Sequence, residues 1–258
     1  MAIAHYRPRT LFTFGGASLT LTLLALAALT YFNVSADDAE PQKRSFAPVS
    51  DQLTVAKNNG ELDIRPADVT QIEVTRQFAS RSLPGGRPEA TWDLTDERLT
   101  LATDCGPLSL CDVRYEILVP KDVALTVEGD SGQVTATGFG MALKIRTDSG
   151  AIRVDNASGR LTLDTENGEL RATRLTSNQV DVGSESGDVH LSFASIPEQV
   201  RTATENGALS IGLPNAAYKV ITTTDSGDVR TDLPEDPNSS HTITASTENG
   251  AITLRATE

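Results

Sequence analysis

From residue 122 to the end of the chain, apolar and polar side chains alternate with a period of two, and the alternation breaks at regular intervals. Each break is an acid, then Ser or Asn, then Gly: Asp130-Ser131-Gly132, Asp148-Ser149-Gly150, Glu166-Asn167-Gly168, Glu185-Ser186-Gly187, Glu205-Asn206-Gly207, Asp225-Ser226-Gly227 and Glu248-Asn249-Gly250. Gly-to-Gly steps run 18, 18, 19, 20, 20 and 23 residues. Seven positions before each Gly stand Leu125, Leu143, Leu161, Val180, Val200, Val220 and Ile243; two positions after it stand Val134, Ile152, Leu170, Val189, Leu209, Val229 and Ile252. Such a unit predicts two strands with apolar faces joined by a tight Gly turn, Gly being favoured where a turn needs a positive φ.

Two architectures fit that unit. An antiparallel hairpin array suits Asn-Gly turns, but it leaves one long apolar sheet face uncovered unless it closes on itself. A parallel β-solenoid makes every unit one rung, stacks like residues about 4.8 Å apart and covers the apolar face within the rung. The predicted fold is therefore all-β, a parallel solenoid (β-helix) of about seven rungs of 18–23 residues over 122–258.

Residues 51–121 are β-rich but irregular. Leu53, Val55, Leu62 and Ile64 match the repeat columns around a fainter copy, Asn58-Asn59-Gly60, and predict a first rung. Ile72 and Val74 suggest a strand, as do Trp92 and Leu94, then Leu99 and Leu101 beyond a turn at Asp96-Glu97, and Val113–Pro120 alternates until Pro stops it. This segment is expected to cap the rungs. Residues 80–90 read as a flexible loop and 33–50 as a polar linker.

Ahead of the linker, Leu11–Phe32 runs without a charge, long enough to cross a bilayer that takes about 20 residues of helix. Arg7 and Arg9 precede it, and Asp37, Asp38 and Glu40 follow. The positive-inside bias makes 1–10 a cytoplasmic N-terminus, 11–32 a transmembrane signal anchor and everything beyond extracytoplasmic. Cleavage at Val34-Ser35-Ala36 is the competing reading; no Cys follows to carry a lipid.

Charge narrows the function classes. The chain has 258 residues and a formal charge of −13, and without residues 1–36, which hold two Arg and no acid, that becomes −15. Such a surface is a poor partner for phosphate backbones, so nucleic acid is excluded as a ligand. Cys105 and Cys111 are the only cysteines. Outside the membrane a neighbouring pair of this kind most often forms a disulfide, and no His lies near to suggest a metal.

The SG and NG rungs, the Cys pair and the stretch Tyr115-Glu116-Ile117-Leu118-Val119-Pro120, all behind an N-terminal apolar segment, resemble the DUF4097 family, which carries an adhesin label. The resemblance covers about residues 51–258. It implies a β-solenoid and a surface role, and assigns no catalytic residue or cofactor.

The most suggestive chemistry is the acidic column Asp130, Asp148, Glu166, Glu185, Glu205, Asp225 and Glu248, which stacked rungs would place about 5 Å apart, a speculative ladder for Ca²⁺ or a cationic partner. Repulsion of roughly 0.8 kcal/mol per neighbouring pair in water is tolerable without a metal, and Asp and Glu interchange along the column as tight coordination would not allow. Asn167, Asn206 and Asn249 fall on alternate copies, so no continuous amide stack is expected. His190, between inward Val189 and Leu191, should face solvent, and His241 lies in the irregular Leu233–His241 loop. A polysaccharide-active enzyme on a β-helix would show acids, bases and cations converging at loops that break the rungs. The reading is a non-catalytic envelope interaction (adhesin-like) or scaffold module on a single-pass anchor. Its alternatives are that enzyme, or a calcium-dependent self-assembling surface protein. Expected partners are the membrane, an envelope protein or polymer, and further copies joined through the solenoid ends, the last strand, Ile252–Ala256, supplying an open edge.

Overall fold

The computed structural model describes residues 40–47, 50–81, 89–104 and 110–257. The predicted transmembrane helix, Cys105 and most of the 80–90 loop lie outside these residues. No described helix is long and apolar enough to cross a membrane, and every described regular element is a strand.

In chain order the strands before the repeat are β1 (Gln42–Phe46), β2 (Gln52–Lys57), β3 (Glu61–Ala67), β4 (Ile72–Arg81), β5 (Glu89–Thr95), β6 (Arg98–Asp104) and β7 (Leu110–Pro120). The repeat copies then supply two strands each: β8 (Ala124–Ser131) with β9 (Val134–Thr137), β10 (Leu143–Ser149) with β11 (Ile152–Asp155), and β12 (Leu161–Asn167) with β13 (Leu170–Leu175). There follow β14 (Gln179–Ser186) with β15 (Val189–Phe193), β16 (Gln199–Asn206) with β17 (Leu209–Pro214), β18 (Lys219–Ser226) with β19 (Val229–Thr231), and β20 (Thr242–Asn249) with β21 (Ile252–Thr257).

Like strands pair in parallel, so the copies stack and do not form hairpins. Leu143 lies between Leu125 and Leu161, and Ile152 between Val134 and Leu170, without a register slip. Strands before the glycines enter a 10-stranded sheet, those after them an 11-stranded sheet, and the column residues of both are buried between them except on the terminal level, where Val220 is half-buried and Val229 exposed. In-register stacking follows from period two: sliding any strand by one residue would turn its whole apolar set outward.

The predicted first rung is present, β2 pairing with β8 and β3 with β9. Antiparallel pairing is confined to the N-terminal end, where β1 pairs with β4, β4 with β7, and β5 with β6. Asp96 and Glu97, at φ 51° and 61°, make the β5–β6 turn, the left-handed pair that suits a two-residue hairpin. β1 lies within the stretch 33–50 read as a polar linker. Its side chains are exposed except Phe46, which is why its period carries no signal.

Stacking order departs from chain order at both ends. The sheets run β7-β3-β9 and β6-β2-β8, so the first rung is covered by a later one; they finish β17-β21-β19 and β16-β20-β18, so the last copy is inserted beneath the one before it. The strand expected to be an open edge, Ile252–Ala256, is thus held on both sides, and the edges are β18 and β19. Residues Asp232–His241 carry the chain back across the skipped level, which accounts for the longest step of 23 residues. Leu233 is buried, Tyr218 N–H donates to Pro234 O, Asp236 N–H to Tyr218 O, and Ser239 Oγ to Ala217 O.

Candidate functional site

The repeated corner is where the sequence concentrates its polar signature. Along it the Gly amides climb from level to level: Gly132 N–H donates to Ser149 O at 3.1 Å, Gly150 to Asn167 O at 3.0 Å and Gly187 to Asn206 O at 3.0 Å. Backbones approach so closely that a Cβ on Gly150, Gly168, Gly187, Gly207, Gly227 or Gly250 would lie 2.0–2.3 Å from the carbonyl oxygen of a neighbouring glycine, and one on Gly132 2.2 Å from Gly60 O. Contact is therefore the common reason for glycine. Gly207 is not among the positive-φ residues and is as tightly enclosed as the rest.

Beneath the corner runs a column that the sequence reading passed over, three residues before each Gly: Lys57, Gly129, Thr147, Thr165, Ser184, Thr204, Thr224 and Thr247. Thr147 Oγ1 donates to Thr165 Oγ1 at 3.0 Å, Thr204 Oγ1 to Gly187 O at 3.4 Å and Thr247 Oγ1 to Gly207 O at 3.2 Å. Thr147, Thr204, Thr224 and Thr247 thus serve corner glycine carbonyls from inside, while Ser184 Oγ is buried without a hydrogen-bond partner among the described residues. At the N-terminal end Lys57 takes this role, being 3% exposed. Its Nζ donates to Gly60 O at 2.9 Å, to Gly132 O at 3.4 Å and to Ser131 O. Gly129 leaves room for it, since a Cβ there would stand 3.2 Å from Lys57 Cε. Burial pushes the Lys57 amine down to about 8, against the pull of Asp130. The signal was legible: a fixed offset holding only Lys, Gly, Thr and Ser.

On the outside of the same corner the acidic column is in place. Asp130, Asp148, Glu185, Glu205, Asp225 and Glu248 are exposed and Glu166 is half-buried. Among the described residues no three His, Cys, Asp or Glu side chains converge to hold a metal ion. The amide expectation is amended by the reordered end: inserting β20 against β16 brings Asn249 onto Asn206, where Asn249 Nδ2 donates to Asn206 Oδ1 at 3.1 Å.

The remaining candidates disperse. His190 is half-buried, and burial together with Arg171 holds its imidazole below the usual histidine range. His241 Nδ1 lies 2.9 Å from Pro197 O and its ring meets Tyr218 edge-on at 6.3 Å, a packing role for the returning loop. A surface hollow of about 460 Å³ is lined by Asp63, Arg65, Gln77, Arg114 and Glu116. There Arg65 pairs with Glu116 at 3.1 Å and Arg114 with Glu61 at 2.6 Å, all four side chains exposed. Trp92 packs beneath Arg76, whose guanidinium stands 4.2 Å from the ring, while Phe139, Phe193 and Tyr218 are buried in the core. Cys105 lies outside the described residues, and of Cys111 only the backbone, paired with Ser80 in β4–β7, is described.

Comparison with known proteins adds a family. The family model described as Toastrack DUF4097 matches residues 41–258. Among crystal structures, a "putative cell adhesion protein" from Clostridium sporogenes ATCC 15579 is 13% identical, covers 84% of this chain and 99% of its own, with a TM-score of 0.40. A "putative adhesin" from Parabacteroides distasonis ATCC 8503 is 9% identical over 86% of this chain and 98% of its own, also at 0.40. Among curated proteins, none matches.

Proposed function

Taking as premise that the chain belongs to the Toastrack DUF4097 family, we propose that it is a non-catalytic interaction module, adhesin-like or scaffolding, held on the outer side of a cell membrane by its N-terminal apolar segment. One observation carries this reading: the outward positions stack in register from level to level, mostly polar though of changing charge, as Arg146 on Asp164 and Asp181 on Arg201, so the domain offers extended polar faces instead of one convergent site. Faces of this kind suit binding of an extended partner, because each level adds a further weak contact. The ion pairs of the Arg65–Glu116 hollow are exposed to solvent and bring no buried acid and base together, as a catalytic cleft would. The net negative surface favours a protein or a basic envelope polymer as partner.

The test is the full chain with alkaline phosphatase fused to its C-terminus, expressed in bacteria. Phosphatase activity, a product that stays with membranes through carbonate washing, and co-sedimentation with envelope fragments without release of reducing ends are expected. An inactive reporter or full release by carbonate would overturn the membrane-display reading, and release of reducing ends would revive the polysaccharide-active enzyme.

A further inference from the structure

Four of the corners are written Asn-Gly: Asn59-Gly60, Asn167-Gly168, Asn206-Gly207 and Asn249-Gly250. In such a dipeptide the side-chain carboxamide and the next backbone nitrogen can close a five-membered ring, and glycine, lacking a Cβ, puts nothing in the way. In three of the four that nitrogen is engaged elsewhere. Gly168 N–H donates to Ser186 O at 3.0 Å, Gly207 to Asn249 O at 3.0 Å and Gly250 to Ser226 O at 2.8 Å, each bond running along the stack to the adjacent level. Asn206 and Asn249 are tied again through their carboxamides, which bond to each other at 3.1 Å. Asn59-Gly60 differs. Gly60 N–H donates to Oδ1 of Asn59 itself at 2.7 Å, so the nitrogen faces the carboxamide whose carbon lies one bond beyond that oxygen. Neighbouring groups hold the pair in place: Lys57 Nζ donates to Gly60 O at 2.9 Å, and Ser131 Oγ stands 3.3 Å from Asn59 Oδ1. The preceding Asn58 is fixed by Thr103, its Nδ2 donating to Thr103 O and its Oδ1 accepting from Thr103 N–H, both at 3.0 Å. Asn59 is exposed, so water reaches its carboxamide although Gly60 is buried.

We infer that Asn59 is a site of spontaneous deamidation, singled out from the other three Asn-Gly pairs by the hydrogen bonding of its corner. Gly60 N gives its proton to hydroxide, and the lone pair left along the former N–H axis, which points at the carboxamide, forms a bond to Asn59 Cγ. The Cγ–Nδ2 bond breaks, and the amide nitrogen takes a proton from water and leaves as ammonia, closing a succinimide. Water then opens that ring at either carbonyl, leaving aspartate at position 59 or isoaspartate, whose main chain runs through Cβ and Cγ. The sum is one water consumed and one ammonia released, with no oxidant or reductant. Selectivity comes from geometry. At Asn59 the reacting groups already stand in a near-attack arrangement, whereas at the other three pairs the glycine amide must first leave its ladder by local opening. Isoaspartate lengthens the backbone by one atom at a corner where Gly60 O accepts from Lys57 and lies 2.2 Å from where a Cβ on Gly132 would stand. The first rung, β2 with β3, therefore loosens as the chain ages. The inference goes beyond the interaction-module reading and does not depend on it.

The experiment incubates the full chain in detergent micelles in mildly alkaline oxygen-18 water, native and in guanidinium chloride. Peptide mass mapping after acidic digestion follows label entering at residues 59, 167, 206 and 249, and fragmentation separates Asn59 from Asn58 and isoaspartate from aspartate. In the native chain Asn59 should deamidate at least about tenfold faster than each of the other three. In denaturant, where all four are unstructured Asn-Gly pairs, the rates should converge to within about threefold. A native lead of less than about tenfold, or a lead that persists undiminished in denaturant, would overturn the inference. Asn59→Asp, which keeps an oxygen facing Gly60 N–H and adds only charge, should melt close to the parent, and the isoaspartyl chain purified after ageing at least about 3 °C lower. An isoaspartyl chain as stable as Asn59→Asp would overturn the loosening of the first rung. Neither result touches membrane display, which the phosphatase fusion reads separately.

Discussion

A methyl group on the corner column has nowhere to go. At Gly187 a Cβ would lie 2.0 Å from Gly168 O and 2.7 Å from its carbonyl carbon, backbone atoms that cannot rotate aside. Gly187→Ala should therefore cost about 3 kcal/mol or more, read by denaturant unfolding. Gly140→Ala is the matched control: its nearest neighbour would be Ser158 Oγ at 3.8 Å, and stability should change by no more than about 0.5 kcal/mol. Lys57 supplies the second residue-scale test. Its amine titrates near 8 when folded and near the ordinary lysine value of 10.5 when unfolded. Between those values the unfolded chain holds the extra proton, so rising pH stabilises the fold across this window, and the burial cost of about 3 kcal/mol is fully present below pH 8. The unfolding free energy of the parent minus that of Lys57→Met should climb between pH 8 and 10.5, and a flat difference would refute the assignment.

At the scale of elements, the periodicity identified the strands and their faces, and the structure decided their neighbours. Leu143, Leu161 and Val180 sit in one column as alignment on Gly predicts, because parallel in-register stacking is the only pairing that keeps every apolar column inward. Which copy lies on which is a different matter. β20 is as apolar at Ile243 and Ala245 as β18 is at Val220, so nothing in either strand states its level. The inserted position of β21 has a measurable consequence. Although it ends at Thr257, its amides at Leu254 and neighbouring positions should exchange hydrogen as slowly as those of β15 and β17, whereas β19, three residues long and exposed throughout, should exchange much faster. Fast exchange across β21 would show the chain end to be a frayed edge after all.

For the whole molecule, interchanging the last two levels at each end has the same effect twice. The first rung, β2 with β3, and the last copy, β20 with β21, are each clasped between other strands, so neither can peel away without breaking two ladders. The acidic surface makes copies of the domain repel one another.

The two-residue period, the glycine spacing and the acid column were written in the sequence, because alternation, turn chemistry and net charge are local properties that a one-dimensional reading can follow. The Thr and Lys57 column was written there too, at a fixed offset from Gly, but its meaning came only from the carbonyls above it. What tertiary structure alone decided is the order of the end levels, and with it the Asn206–Asn249 contact and the identity of the open edge. Every copy presents nearly the same apolar columns, so neighbouring levels are close to interchangeable by their own strands. The choice falls to long-range packing, in which the returning Asp232–His241 loop is anchored on Ala217 and Tyr218.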